Sequence, residues 1–466
     1  MTECSEPCFA FQPLGAHAVI ARFDGGYVTS DGGALLLRDV EHRTGILRRL
    51  AACFTDQRTP ERIEYTVEEL IKQRVYALAL GYEDLNDHDQ LRRDPLLAVL
   101  VGKSDPTGQE RRRLRDRGNA LAGKSTLNRL ELRVPHATPK ETRYKKILID
   151  PEAVDRVLVE LFLEAQAEAP SALVLDLDAT DDPVHGHQED RFFHGYYGHY
   201  CYLPLYIFAG EFLLCARLRP ANRDASAGAL EEVKRIVGHL RTQWPAVQIT
   251  LRADAGFCRE PLMAWCEEHG LDYVFGLAKN ARLLAEVQGA LAQAQVQFAQ
   301  TGQAARVFTE FLYRTLESWT RERRVVAKAE HLEKGANPRF VVTSLPSAQW
   351  AAQAMYEELY CARGDMENRI KEQQLDLFAD RTSTARLWSN QIRLYFSSFA
   401  YVFLHALRRL GLRGTEMAHA QCGTIRRHLL KIGALLTISV RRIRVAFASG
   451  YPYATLFQQV YTQLRC

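Results

Sequence analysis

The chain has 466 residues, of which 47% are hydrophobic and 25% are charged, and its formal net charge is +4. This ordinary globular composition excludes a disordered or low-complexity protein, and at roughly 100–200 residues per domain it predicts several domains. The cysteines are scattered without a Cys-x-x-Cys pair, which argues against a zinc ribbon and against a disulfide framework. Because no apolar run approaches ~18 residues and no signal segment is recognisable, we expect a cytoplasmic protein without membrane attachment.

The N-terminal region contains short strands over residues 1–30, followed by a helical pattern from Ala34 to Gly102. We predict a mainly helical N-terminal DNA-binding domain over 1–140, because residues 111–117 include five arginines that suit a phosphate backbone. A solvated helix face explains such a run equally well. Gly118–Ser125 matches the P-loop spacing, but the arginines before it exclude the buried strand that a P-loop follows.

The central region predicts the element order β-β-β-α-β-α-β. The strands are expected at 172–178, 201–208, 212–218, 247–252 and 273–275, and the helices at 224–241 and 260–269. This order resembles the RNase H-like fold, in which the first and fourth strands are neighbours. Asp178 and Asp254 would then meet at adjacent strand ends.

The predicted fold class is α/β, with an RNase H-like catalytic core interrupted by a mostly β insertion, a mainly helical N-terminal domain and a helical C-terminal tail. We place the first part of the core at 141–280, the insertion at 281–350, with strands near 307–312, 322–330 and 339–343, the helical part of the core at 351–410, and a basic helical C-terminal region at 411–466. The stretch from Arg408 to Arg444 holds nine Lys/Arg and one acid, Glu416.

Three segments carry candidate chemistry: 176–182 with Asp178, 252–257 with Asp254, and 360–372 with Glu367. Phosphoryl transfer requires little covalent help from protein, but it uses two hard cations ~3.5–4 Å apart. Mg²⁺ prefers oxygen ligands, and a minimum of three carboxylates from separate elements can hold such a pair. Taken singly, each residue fits a cap, a turn or a solvated surface, so the interpretation depends on their combination.

The third segment predicts a shared helix face. Tyr360, Arg363, Glu367, Lys371 and Gln374 recur at steps of three and four residues, so Glu367 can ligate metal while Arg363, Lys371 and Tyr360 contact phosphates. Gly364 weakens a helix interior, and a helix that begins with Asp365 as its N-cap is therefore an alternative.

These motifs resemble those of the DDE-class transposases of bacterial insertion sequences, most closely the insertion-sequence 1380 group. The matching residues are Leu177–Thr180 with Pro183–Gly186, Arg252–Gly256, and Tyr360-x-x-Arg363-x-x-x-Glu367, and the likeness extends from about residue 10 to 450. In the related signature a lysine follows Glu367 where this chain has Gln374, and Lys371 is the expected substitute. Asp176 shares a strand face with Asp178, but Asp178 fits the family pattern.

The resemblance implies a transposase that cleaves the ends of its element and transfers the 3′-OH into target DNA. Asp178, Asp254 and Glu367 would be the catalytic residues and the ligands of two Mg²⁺ ions, for which Mn²⁺ could substitute. The partners would be double-stranded DNA with terminal inverted repeats, target DNA, and a second copy in a DNA-bound homodimer. Arg252 is a further expected DNA contact, and Trp319 is either a ring that stacks on a displaced base or a core residue.

Two other functions compete with transposition. One is a non-transposing RNase H-like DNA nuclease, and the other is a domesticated sequence-specific DNA-binding protein whose catalytic site is unused. Inverted repeats beside the gene would favour transposition over the nuclease, and the intact set of Asp178, Asp254 and Glu367 disfavours an unused site. A histidine cluster beside the first motif, namely His185, His187, His194 and His199, could suggest zinc, but it lacks His-Glu-x-x-His spacing and polar contacts near the site are the preferred interpretation.

Overall fold

The computed structural model describes residues 8–132 and 146–465. The chain forms two compact units. Of the described residues, the first unit holds 8–130, 146–147 and 399–465, and the second holds 131–132 and 148–398. The first unit therefore combines N-terminal and C-terminal segments that are far apart in the sequence. The predicted boundary at residue 140 lies outside the described residues.

The strands are numbered in chain order. They are β1 (Phe9–Leu14), β2 (His17–Ala21), β3 (Tyr27–Thr29), β4 (Phe54–Asp56), β5 (Ile147–Ile149), β6 (Ala172–Ala179), β7 (Asp182–Pro183), β8 (Phe192–His194), β9 (His199–Tyr202), β10 (Leu205–Ala209), β11 (Phe212–Arg217), β12 (Gln248–Ala253), β13 (Asp272–Leu277), β14 (Ala305–Tyr313), β15 (Arg323–Leu332), β16 (Gly335–Ala336), β17 (Arg339–Thr343), β18 (Ala434–Ile438) and β19 (Ile443–Phe447).

The α-helices of the described residues follow the same convention. They are α1 (Leu35–Thr44), α2 (Ile46–Ala52), α3 (Val67–Ala79), α4 (His88–Leu91), α5 (Pro95–Val101), α6 (Lys124–Glu131), α7 (Pro151–Ala165), α8 (Ala229–Gln243), α9 (Glu260–Glu268), α10 (Ala281–Glu286), α11 (Gln288–Thr301), α12 (Ala352–Ala354), α13 (Gly364–Leu377), α14 (Leu387–Gly411), α15 (Cys422–Ile425) and α16 (Ala454–Gln463). In the described part of the chain, no helix has both the length and the apolar character needed to cross a bilayer.

The first unit contains helix α3, whose N-terminus is fixed by a capping box. The Thr66 hydroxyl accepts a hydrogen bond from the Glu69 N–H, and the Glu69 carboxylate accepts one from the Thr66 N–H. Along the buried face of α3, the Tyr76 ring packs edge-on against Phe403 at 5.4 Å between centroids. An N-terminal helix and a C-terminal helical segment therefore share one core.

The C-terminal region differs from the helical prediction for 411–466. Residues 434–447 form the hairpin β18–β19, and β18 also pairs with β3 near the N-terminus. Ala434 and Leu436 are buried while Leu435 and Thr437 are exposed, which is the two-residue period of a strand with one covered face. The basic composition of this stretch concealed that alternation.

The second unit is organised by a nine-stranded mixed sheet. Its order is β11-β10-β6-β12-β13-β17-β15-β14, with β16 paired to β15. Strands β6, β12 and β13 run parallel, whereas β10 and β11 are antiparallel to their neighbours. The predicted adjacency of the first and fourth strands is confirmed, because β6 lies beside β12. Parallel neighbours end at the same sheet edge, so the residues that follow them lie together.

Alternation along β6 separates its core residues from its carboxylates. Leu175 and Leu177 are fully buried in one apolar cluster with the α8 residues Val233, Ile236, Val237 and Leu240. Asp176 and Asp178 point to the opposite side of the strand. Burial of one face therefore fixes the register that directs both aspartates the other way.

One predicted strand of this unit needs correction. The strand expected at 201–208 is two strands, β9 and β10, because Pro204 lacks the N–H that would continue a ladder. The strands expected within 281–350 are present as β14, β15 and β17. Strand β17 pairs with β13 and β15 pairs with β17, so they extend the same sheet. Such pairing between distant segments leaves no trace in local periodicity.

Candidate active site

Two aspartates lie at the ends of neighbouring parallel strands. Leu177 of β6 and Ala253 of β12 are a registered pair, and Asp178 and Asp254 come directly after them. Asp254 caps the short 3-10 turn Ala255–Phe257, and its Oδ1 accepts a hydrogen bond from the Gly256 N–H at 2.8 Å. The sheet therefore brings together the two aspartates that the sequence singles out.

Asp178 is a carboxylate in surroundings that oppose its charge. Its side chain is 14% exposed. Burial raises the pKa of Asp178 to about 7; the Arg363 guanidinium lowers it, while the Asp254 and Glu367 carboxylates raise it further. The ionised form of Asp178 is therefore stabilised by any cation placed beside it.

Arg363 provides a positive charge at this point. Its Nη2 lies 2.6 Å from Glu367 Oε1, and its Nη1 lies 3.6 Å from Asp178 Oδ1. Burial alone would lower the pKa of Arg363, but the Asp178 and Glu367 carboxylates raise it above its ordinary value. Arg363 thus connects the strand-end aspartate to the helical glutamate one turn further along the chain.

The carboxylates of Asp178, Asp254 and Glu367 are not arranged as the ligands of a metal ion in this structure. Within residues 8–132 and 146–465, no three His, Cys, Asp or Glu side chains are placed to hold a metal ion. Between Asp178 and Glu367 lies the Arg363 guanidinium, itself a cation. The donor chemistry nevertheless fits a hard divalent ion, because all three groups are carboxylates and the buried Asp178 needs a positive neighbour.

The segment that carries Glu367 is helical throughout, although its hydrogen-bond pattern changes twice. A π-helical turn covers Met355–Tyr360, a 3-10 turn covers Cys361–Arg363, and α13 begins at Gly364. The alternative start with Asp365 as N-cap is therefore wrong. Tyr360 and Arg363 lie on these irregular turns, which continue directly into the helix of Glu367, so the predicted neighbours remain on one helical segment.

Gly276 of β13 is a site residue that sequence reasoning missed. A Cβ at this position would lie 2.6 Å from Tyr360 Oη and 2.9 Å from the Ala255 backbone nitrogen. Only glycine lets the Tyr360 hydroxyl and the turn after Asp254 approach the strand this closely. A glycine inside an otherwise apolar strand was the available signal.

The comparisons with known proteins bear on this arrangement. A family model described as Transposase DDE domain group 1 matches residues 11–466. The chain belongs to this family. It is a DNA transposase, a metal-dependent enzyme that cleaves and transfers DNA. No curated protein matches the chain. Among solved structures, it is similar to a piggyBac transposase synaptic complex with hairpin DNA, with a TM-score of 0.40 and 12% identity over 94% of this chain and 82% of that chain.

Arg252 of the transposase, an expected DNA contact, is held in a buried ion pair. Its Nε donates to Asp176 Oδ1 at 2.5 Å and its Nη2 donates to Asp176 Oδ2 at 2.8 Å, while Nη1 donates to the Leu359 carbonyl at 2.6 Å. The cause is the strand register, which places Asp176 directly opposite Arg252. Asp176 is thereby committed to a buried ion pair, which leaves Asp178 as the β6 aspartate beside Arg363.

Trp319 of the transposase is a core residue. It is 6% exposed, its ring packs edge-on against Tyr313 at 5.8 Å, and the Arg323 guanidinium lies 5.4 Å from its centroid. The ring is therefore not available to stack on a base, and the alternative interpretation as a packed core tryptophan describes its position.

The helix beyond Glu367 presents one exposed cation. Lys371 is exposed on α13. Gln374, which stands where the related signature has lysine, donates from Nε2 to the Asp181 carbonyl and to Asp182 Oδ1, both at 3.1 Å. Gln374 therefore links α13 to the segment after β6 by hydrogen bonds, while Lys371 faces solvent.

The four histidines of the transposase do not form a zinc site in this structure. His199 Nε2 lies 2.7 Å from Asp181 Oδ2, His187 Nδ1 lies 2.9 Å from Arg191 Nη2, and the His194 ring packs against Tyr197 at 4.9 Å. These three histidines thus contact a carboxylate, a guanidinium and an aromatic ring around the loop that follows β6.

Proposed function

We propose that the transposase uses Asp178, Asp254 and Glu367 to cleave the ends of its element and to transfer the freed 3′-OH into target DNA. One observation carries the proposal: Asp178 and Asp254 end adjacent parallel strands, and Arg363 joins Asp178 to Glu367. Three carboxylates from separate elements, grouped around the Arg363 guanidinium, are a suitable set for phosphoryl transfer.

The same carboxylates would hold two Mg²⁺ ions, with Mn²⁺ as a substitute. When bound, such ions lower the pKa of the attacking water and stabilise the leaving oxygen. Asp178 and Asp254 fix the position of the reacting phosphate relative to the sheet edge, and Glu367 approaches from α13. Arg363 exchanges its contacts with Asp178 and Glu367 for a DNA phosphate, and exposed Lys371 binds the backbone one turn further along α13.

We further propose an RNase H-like catalytic core, membership of the insertion-sequence 1380 group, and action as a homodimer on paired terminal inverted repeats. The element order and the β6–β12 adjacency support the first. Exposed arginines at 113, 115, 441, 442 and 444 support binding of duplex DNA through phosphates. Such binding weakens steeply as salt rises.

The test is cleavage and joining of labelled DNA that carries the repeats flanking the gene, in the presence of Mg²⁺. Wild type is compared with Glu367→Gln and with Glu358→Gln, a matched change at an exposed glutamate on the π-helical turn Met355–Tyr360. We expect both activities to disappear only in Glu367→Gln, without loss of DNA binding. Cleavage that persists in Glu367→Gln would show that the carboxylates are wrongly assigned. Cleavage without joining would indicate the nuclease alternative, and binding without cleavage the DNA-binding protein.

A further inference from the structure

A hairpin of exposed aromatic residues lies between β6 and β10. Strands β8 and β9 pair antiparallel around the tip 195–198, where the Gly198 N–H donates to the His194 carbonyl at 2.8 Å. Exposed aromatic rings share this hairpin: Phe192, Phe193, Tyr196 and Tyr200, which are 36%, 58%, 86% and 45% exposed. Single exposed rings are common, but a group of four on one short hairpin marks an interaction surface.

The hairpin has a packed face and an open face. The cross-strand pairs His194–His199 and Phe192–Cys201 share one side, and Cys201 is fully buried beside Ala179. Phe193 and Tyr200 share the other side, with their rings edge-on at 5.7 Å. The open face is therefore aromatic.

A cation accompanies the aromatic rings of the open face. The Arg191 guanidinium lies 4.4 Å from the centroid of the Tyr200 ring. Its Nη1 donates to the Gly186 carbonyl and its Nη2 contacts His187 Nδ1, which hold the guanidinium in place over the ring. An aromatic ring backed by a positive charge is the kind of surface that binds single-stranded nucleic acid.

The packed face leads directly to the proposed catalytic carboxylates. Tyr197 Oη donates to the carbonyl of Ala179, the residue after Asp178, at 3.4 Å. His199 contacts Asp181, two residues further along the chain. Burial raises the pKa of Tyr197, and the Asp181 and Asp178 carboxylates raise it further.

We propose that the hairpin 191–202, with Tyr196 at its tip, is a stacking surface for unpaired DNA bases next to the phosphate that is cut. Bases that lose their partners near a cleavage site need a new apolar surface, and an aromatic ring supplies it whatever the sequence. Trp319 is buried and cannot serve this purpose, whereas Tyr196 is the most exposed ring of the hairpin. The proposal rests on the proposed function in taking Asp178 to mark the place where DNA is cut.

The test measures binding in EDTA, so that neither metal nor cleavage enters the result. The probes are a labelled 20-base-pair duplex and the same duplex ending in five unpaired thymidines on each strand. The readout is the ratio of the two dissociation constants, in which general affinity for phosphates cancels. We expect wild type to favour the forked DNA, and Tyr196→Ala to reduce that preference by about tenfold, given the usual contribution of one stacked base. Tyr196→Phe, which keeps the ring, should retain it.

The matched control is Phe23→Ala, which removes an aromatic ring that is 88% exposed in the other unit; its ratio should equal that of wild type. A wild-type ratio near one overturns the proposal, as does an unchanged ratio in stably folded Tyr196→Ala. If Tyr196→Ala does not fold, Arg191→Gln is measured instead. An unchanged ratio of dissociation constants in Arg191→Gln also overturns the proposal. The binding ratio does not depend on Glu367. If Glu367→Gln shows that the catalytic residues are wrongly assigned, the ratio measured for Tyr196→Ala is still valid.

Discussion

The aspartates Asp176 and Asp178 should respond in opposite ways to loss of charge, although only one residue separates them. Asp176→Asn removes one partner of the buried pair with Arg252, whose side chains are 3% and 10% exposed. The Arg252 guanidinium then stays buried without a full counter-charge. Loss of one partner from such a pair costs about 3–5 kcal/mol in the free energy of unfolding.

Asp178→Asn should not destabilise the fold. Burial, the largest cause, raises its pKa from 3.8 to about 7. The folded state therefore binds this proton more tightly than the unfolded state, so that ionisation opposes folding increasingly as pH rises from 3.8 to about 7 and fully above it. At about 1.36 kcal/mol per pKa unit the cost approaches ~4 kcal/mol. Because asparagine also deprives Arg363 of one counter-charge, we expect a gain of about 1–3 kcal/mol.

The assay is urea unfolding at pH 8 in EDTA, paired with DNA cleavage in Mg²⁺. Glu333→Gln, an exposed change in the turn between β15 and β16, is the control and should shift the unfolding free energy by less than about 0.5 kcal/mol. Cleavage should vanish in Asp178→Asn despite its retained stability. The reasoning is refuted when Asp176→Asn loses cleavage but less than about 1 kcal/mol of stability, because Asp176 would then be the functional aspartate.

Three further changes test other parts of the structure. Gly276→Ala places a Cβ 2.6 Å from Tyr360 Oη, so cleavage should fall at least about tenfold because the turn after Asp254 is displaced. The control is Gly238→Ala in α8, whose Cβ meets nothing within 4 Å. It should raise the free energy of unfolding in urea by about 0.5–1 kcal/mol. Trp319→Ala should cost about 3–5 kcal/mol in the same measurement, and an unchanged stability with weaker DNA binding would contradict its core position. Burial holds the pKa of His88 at about 3 instead of 6.5. The free energy of unfolding should therefore fall as pH drops below 6.5, by about 2 kcal/mol at pH 5. His88→Phe should abolish this pH dependence, and an equally steep fall in the variant would show that other groups cause it.

Local periodicity was sufficient for the elements that hold the catalytic candidates. The alternation in 172–178 predicted β6, and the parallel β12 ended next to it, so the neighbouring positions of Asp178 and Asp254 could be predicted. The pairing of β17 with β13 could not be, because it joins segments more than 60 residues apart and depends on contacts between them. The hairpin β18–β19 was also missed, since a dense basic composition suggested a helical surface.

Burial decided roles that residue type left open. Arg252 and Arg363 are both arginines beside a predicted carboxylate, but Arg252 lies opposite Asp176 in the sheet and is enclosed, whereas Arg363 stands on helical turns at the sheet edge. The same holds for the aromatic rings: Trp319 packs inside the core, while Tyr196 occupies a hairpin tip. A sequence shows which residues carry hydrogen-bond donors, positive charges and aromatic rings, but it does not show how deeply each side chain is buried. Strand register and core packing determine which of them are enclosed, and this is why the burial of Arg252 and Trp319 could not be predicted from their residue types.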